Sequence, residues 1–184
     1  MNAREVSRHP AGRDARWCLA CNRWGHRTLV RGYFARISRL GDGAAWYALM
    51  AMIVLVGGLD GLRVSTHLAA TGVVALLLYR LLKRWTRRPR PFARDRRIHA
   101  LVRPLDEFSF PSGHTLHAVA FTVVAVAYFP PLAWLLVPFT ASVALSRVVL
   151  GLHYPSDVLA ALGIGLAIGN GSLWLAATSG LVAA

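Results

Sequence analysis

The sequence predicts an all-α transmembrane bundle of about five spanning helices. Three observations lead there. Of its 184 residues 55% are apolar and 16% charged, with a mean hydropathy of +0.46. The apolar residues gather into five runs of helix length joined mostly by short connections. The charge is segregated: nine Arg lie in residues 1–43 and nine Lys or Arg in 83–103, leaving only Arg63, Arg80 and Arg147. Basic blocks bordering apolar runs are what juxtamembrane segments show. The net charge of +13 is therefore read as a membrane feature and argues against a nucleic-acid partner.

Residues 1–43 read as a basic N-terminal tail and 44–184 as the membrane domain. The first 16 residues are interrupted by Arg and Asp and contain no apolar run, so no cleavable signal peptide is visible. Toward the end of the tail, Leu29, Tyr33, Phe34, Ile37 and Leu40 recur at helical spacing with Arg between them, which predicts an interfacial helix. Cys18 and Cys21 form a C-x-x-C with His26 nearby. No second Cys/His pair follows at metal-site spacing, so two incidental thiols are expected and no metal is assigned.

The five apolar runs are Ala44 to about Leu62, Val64–Leu82, Ser112–Phe129, Leu132–Leu150 and Ser156–Ala177. The second, as a helix, covers about 29 Å, close to a hydrocarbon core of about 30 Å. Backbone polar groups go unsatisfied in lipid unless the segments are helical. The connections at 62–64 and 130–131 are so short that the helices they join must form antiparallel hairpins. Gly165 and Gly169, with Ala161 a turn earlier, predict a helix-packing face. The longest loop, about 83–111, is basic and contains four prolines.

Hairpin parity then places four stretches at one membrane face: "KRWTRRPRP" (83–91), "PSGH" (111–114), "SR" (146–147) and "HYPSD" (153–157). Lys83, Arg90 and Arg147 are fixed cations suited to a group with several anionic oxygens. Pro111 suits the first turn of a helix, and Ser112 and Gly113 would offer a hydroxyl and close backbone N–H groups at an anion-binding helix start. A neutral imidazole can attack phosphorus and an imidazolium can protonate a leaving oxygen, which gives work to His153 and His114. Asp157 can orient a histidine and stabilise its cation. Taken singly, each residue has a bland reading as a topology anchor, a first-turn acid or an interfacial histidine. His117 keeps that reading. Their joint placement, with compatible roles, points to phosphoryl transfer.

Those residues also carry a resemblance. Lys83 through Arg90-Pro91, Pro111-Ser112-Gly113-His114, and Ser146-Arg147 through His153 and Asp157 reproduce the three-part signature K-x6-R-P, P-S-G-H and S-R-x5-H-x3-D. The chain thus resembles the type 2 phosphatidic acid phosphatases, which share a helical core with vanadium haloperoxidases, over about residues 44–178. The resemblance implies a metal-independent hydrolase without cofactor, acting on a lipid phosphate or diphosphate in the bilayer. It implies His153 as the nucleophile that forms a phosphohistidine, Asp157 as its orienting partner and His114 as the acid. It implies Lys83, Arg90, Ser112, Gly113 and Arg147 as the phosphoryl-binding groups. Candidate substrates are undecaprenyl diphosphate, phosphatidic acid, phosphatidylglycerophosphate and lipid A phosphate.

Alternatives are a lipid phosphotransferase using the same site and a non-catalytic protein that binds anionic lipid. A haloperoxidase is disfavoured, because a soluble oxidative enzyme has no need of five spans. The family architecture has six spans, against five here, which bears on sidedness. The implied compartment is a bacterial cytoplasmic membrane. The basic tail votes for a cytoplasmic site, whereas many bacterial relatives act on the other face. In the loop 92–108, Arg94, Arg96, Arg97 and His99 are placed either to meet a second phosphate or to sit among headgroups. No feature specifies an oligomeric state.

Overall fold

A computed structural model describes residues 12–179, so the first 11 residues of the basic tail and the last five of the chain lie outside the described part. All regular elements among the described residues are helical. In chain order they are α1 (Arg13–Gly25), α2 (Thr28–Arg39), a π turn (Leu40–Ala44), α3 (Ala45–Thr86), α4 (Pro91–Arg94), α5 (Gly113–Tyr128), a 3-10 turn (Pro130–Leu132), α6 (Ala133–Val149) and α7 (Pro155–Thr178).

α3 is two antiparallel arms. Gly58, at φ 55° and ψ −127°, breaks the helix. That left-handed conformation carries a steric cost for residues with a Cβ. Behind the break, Ser65 donates to the carbonyl of Met50 at 3.0 Å, a contact that a straight 42-residue helix forbids. Trp46 and Ile53 of the first arm pack with Val64 and Leu68 of the second. A Cβ on Gly61 would lie 2.1 Å from the carbonyl oxygen of Ile53, so only glycine permits the arms to approach so closely. The sequence placed this reversal at 62–64. The structure puts it at Gly58, and Arg63 instead rides the exposed second arm, paired with Asp60 at 2.9 Å. The first arm, 45–57, is about 20 Å long and is continued on its N-terminal side by the π turn and α2.

α5 is the centre of the bundle, in contact with both α3 arms, α6 and α7. Leu116, Ala118, Val119, Ala120, Phe121, Val124 and Ala125 are all buried along it. Its partner α7 meets it through small residues. A Cβ on Gly165 would fall 2.8 Å from the Leu116 carbonyl, and one on Gly169 would fall 2.8 Å from Val123, with Ala161 fully buried a turn before. The outer surface is apolar. Leu55, Val56, Leu77, Leu81, Leu135 and Leu159 are largely exposed, and so are Trp85 toward one end of the bundle and Trp134 and Trp174 toward the other. An apolar belt with indoles at both ends is the surface a bilayer selects. Three helical stretches, Thr28–Thr86, Pro130–Val149 and Pro155–Thr178, are long and apolar enough to cross it, with α5 a shorter apolar helix in the middle.

The described part of the tail is helical. α1 packs on α6 and α7, and α2 on α6. Asn22 is fully buried and joins three segments: its amide donates to the carbonyls of His99 (2.9 Å) and Val149 (3.1 Å), and its oxygen accepts from the His99 N–H (2.9 Å). α1 therefore fastens the basic loop to the end of α6. Cys18 is buried beside the loop after α6, and burial pushes its thiol up to about 12, so it remains a neutral packing group.

Candidate active site

The turn between α6 and α7 is tight because Gly151 adopts φ 73°. A Cβ there would meet the His99 carbonyl oxygen at 2.4 Å. Within the turn, the N–H groups of Leu152 and His153 both donate to the Arg147 carbonyl at 3.1 Å. Pro155 then starts α7, and the carboxylate of Asp157, three residues past the cap, accepts from the Tyr154 N–H at 2.8 Å. Local chain geometry thus stacks His153 beside Asp157, with His153 Nδ1 3.6 Å from Asp157 Oδ2. The other ring nitrogen, Nε2, lies 3.4 Å from a guanidinium nitrogen of Arg90. A guanidinium only donates, which assigns the lone pair to Nε2 and the proton to Nδ1; at 3.6 Å from the Asp157 carboxylate, Nδ1 is beyond hydrogen-bond distance and has no partner among the described residues. Burial holds the His153 imidazolium form well below its ordinary range, and the cations Arg147, Arg90 and Lys83 add to this. The ring is a neutral base aimed at a cluster of positive charge.

That cluster lines one cavity of about 410 Å³. Lys83, at the end of the second α3 arm, Arg90, Gly113, His114 and Arg147 are all on its wall. Ser112, His153 and Asp157 are nearly or fully buried and are not on that wall; His153 adjoins it through Arg90, 3.4 Å away. The Ser112 hydroxyl is within 2.9 Å of that of Thr115, and its N–H donates to the Asp157 carbonyl at 3.3 Å, which ties the start of α5 to α7. His117, one turn into α5, bridges the carbonyls of Gly113 (3.0 Å) and Gly72 (3.2 Å). Away from the charges the cavity becomes apolar, bounded by Trp46, Tyr47, Met50, Leu76 and Phe121.

Five further residues complete the site, none of them singled out by the sequence. Asp106 accepts from Lys83 (2.5 Å) and from Arg90 through its side chain (2.7 Å) and its carbonyl (2.9 Å), so one loop carboxylate orients both cations. Burial pushes its carboxyl up, but the bonds and charges of Lys83 and Arg90 outweigh this and leave it below the usual range. Asp42, in the π turn, places Oδ1 3.2 Å from His114 Nε2. Ser38 of α2 accepts from Arg147. Finally, Arg88 donates to Asp157 Oδ1, to the Ser156 hydroxyl and to Asp14 of α1, each at 2.7 Å, while its guanidinium covers the Tyr154 ring at 4.2 Å. Asp14 in turn accepts from the Ser156 N–H at 3.0 Å. A signal existed in the composition. The chain has 8 acidic residues, and Asp14, Asp42, Asp106 and Asp157 all converge here, where buried cations need counter-charge. The arginines of the loop 92–108 stand apart. Arg97 is clasped by Asp95 at 2.8 Å, and none of them lines the cavity.

The family model of the PAP2 superfamily matches residues 61–180. The chain belongs to the PAP2 superfamily. Undecaprenyl-diphosphatase BcrC of Bacillus subtilis is 32% identical over 124 residues, which cover 67% of this chain and 64% of that protein. Decaprenylphosphoryl-5-phosphoribose phosphatase of Mycobacterium tuberculosis is 34% identical over 136 residues, 72% of this chain and 73% of that one. Among solved structures, a transmembrane PAP2 type phosphatidylglycerolphosphate phosphatase from Bacillus subtilis superposes with a TM-score of 0.73 at 24% identity, covering 97% of this chain and 88% of that one. LpxE of Aquifex aeolicus superposes with a TM-score of 0.76 at 23% identity, covering 88% and 94%. The fold is that of the membrane-embedded PAP2 proteins, and the chain is an integral membrane protein.

Proposed function

We propose that this protein is a metal-independent lipid phosphatase that works through a phosphohistidine at His153. The observation that carries the reading is the placement of His153: its Nε2 lies 3.4 Å from Arg90 and its Nδ1 3.6 Å from the carboxylate of Asp157. Lys83, Arg90 and Arg147, with the start of α5 at Ser112 and Gly113, hold the phosphoryl oxygens and neutralise the charge that a divalent metal would otherwise offset. Nε2 of His153 attacks phosphorus, and the imidazolium formed is stabilised by Asp157. His114, on the cavity wall, protonates the leaving oxygen and then takes a proton from the water that cleaves the N–P bond. The apolar part of the cavity accommodates the first carbons of a lipid, consistent with relatives named as an undecaprenyl-diphosphatase, a decaprenylphosphoryl-5-phosphoribose phosphatase and a phosphatidylglycerophosphatase.

The cytoplasmic membrane of a bacterium is the proposed location. α1 and α2 pack at the site end of the bundle, so tail and site share a face, and the basic tail favours the cytoplasmic one. The function is tested by phosphate release from a panel of lipid phosphates in detergent with chelator, beside His153→Ala. Release that depends on His153 and not on divalent metal supports the reading. Release that survives His153→Ala refutes it.

A further inference from the structure

We infer that this site selects phosphomonoesters of lipid alcohols over lipid diphosphates, and that Asp42 is the residue that makes the selection; the inference rests on the phosphatase reading above. The two substrate classes differ in what leaves. A monoester expels an alkoxide, about as basic as hydroxide (water's pKa is about 15.7), and it needs a proton. A diphosphate expels a phosphate whose second pKa is about 6; it needs no proton but carries its own negative charge to the leaving side.

The geometry defines that side. In-line displacement puts the leaving oxygen opposite His153 Nε2, which lies 3.4 Å from Arg90. His114 is on the cavity wall, Asp42 Oδ1 is 3.2 Å from its Nε2, and Gly43, Trp46 and Tyr47 continue the wall into the apolar part. A leaving oxygen that takes its proton from His114 therefore departs beside Asp42. Among the described residues, the Lys and Arg side chains on this wall are Lys83, Arg90 and Arg147, and the carboxylates are Asp42 and Asp106. Asp106 is already bound to two of those cations. Arg88 is engaged by Asp14 and Asp157, and Arg97 by Asp95, away from the cavity. Arg147, whose charge also acts on Asp42, is taken up by the first phosphoryl group, so a second phosphate would meet the Asp42 carboxylate with no further Lys or Arg of this wall to hold it.

For a monoester the same carboxylate helps. It stabilises the imidazolium of His114, the state that donates the proton. The step balances simply. The His153 Nε2–P bond forms and the P–O bond to the alcohol breaks. The electron pair stays on the leaving oxygen, which takes the His114 proton. Water then displaces His153 from phosphorus and returns a proton to His114. Asp42 thus acts in opposite directions on the two classes, promoting one and repelling the other.

The test uses one tail with two headgroups: dioleoyl phosphatidic acid and the matching diacylglycerol diphosphate, with the full chain in detergent. The wild-type kcat/KM should favour the monoester by about tenfold or more, equivalent to roughly 1.4 kcal/mol. Asp42→Asn should lower turnover of the monoester and raise that of the diphosphate, while Asp42→Glu should keep the preference. The Glu variant, if active, also shows that the turn tolerates substitution. Equal or better turnover of the diphosphate by wild type, or an unchanged ratio in Asp42→Asn, overturns the inference and leaves the phosphatase reading standing. No phosphate from any lipid phosphate overturns both.

Discussion

Arg88 lines no part of the cavity, yet its loss should be felt in catalysis. It donates at 2.7 Å to Asp157, a fully buried carboxylate 3.6 Å from His153 Nδ1 and the proposed partner of that ring. Replacing it by Gln keeps much of the volume and removes the charge. Charges about 4 Å apart attract by roughly 4 kcal/mol at an effective dielectric of about 20. Arg88 is about one-third exposed, and solvent screening takes about half of that, leaving about 2 kcal/mol. Without that attraction a fully buried carboxylate takes up a proton more readily, and a protonated Asp157 no longer stabilises the His153 cation, which lowers kcat by about tenfold. Because Arg88 does not touch the cavity, KM should change little. The assay is steady-state phosphate release for wild type, Arg88→Gln, Asp157→Asn and the double variant. Residues acting through one another are non-additive, so Arg88→Gln should add less than about twofold on top of Asp157→Asn. Full additivity, or a loss confined to KM, would refute the claim that Arg88 works through Asp157.

Other outcomes follow from the same contacts. Asp14→Asn, which loosens Arg88 from α1, should lower kcat by a few-fold without changing KM. His153 should keep the NMR signature of a neutral imidazole as pH falls from 8 to below 6, because burial and three cations depress its pKa from about 6.5; protonation near 6.5 would contradict this. Gly165→Val should cost about 1–3 kcal/mol, read as a lower melting temperature in detergent, because its Cβ would lie 2.8 Å from Leu116 and Val119 of α5. A cysteine placed at exposed Arg16, with Cys18 and Cys21 replaced by Ser, should resist an impermeant thiol reagent in intact cells and react after permeabilisation; labelling from outside would move the site to the other face.

Much of this arrangement was readable in the sequence for physical reasons. Helices that must hide their backbone from lipid, joined by connections too short to cross it, fix which ends lie together. The spacing of Arg147, His153 and Asp157 is set by one turn and the start of one helix, so local chemistry suffices. The turn of α3 was misplaced by a few residues because Arg63 looks like a terminal charge. The left-handed Gly58 that makes the reversal differs from its neighbour Gly57 only in backbone conformation. Asp14, Asp42, Asp106 and Arg88 were not legible as site residues. Each acts through a partner distant in sequence, 69 positions away for Arg88 and Asp157 and 74 for Arg88 and Asp14. Single acids and arginines outside motifs look like solvated surface until the packing of α1 and the loop 95–112 brings them in.

The central claim is covalent transfer to one nitrogen, and it can be caught directly. The full chain in detergent with chelator is mixed with a lipid phosphate carrying radiolabelled phosphorus, quenched in alkali, and digested. The account predicts an acid-labile, alkali-stable label on the peptide containing His153, formed without divalent metal and absent in His153→Ala. Turnover at the wild-type rate with no such label, or a label on another residue, would contradict it.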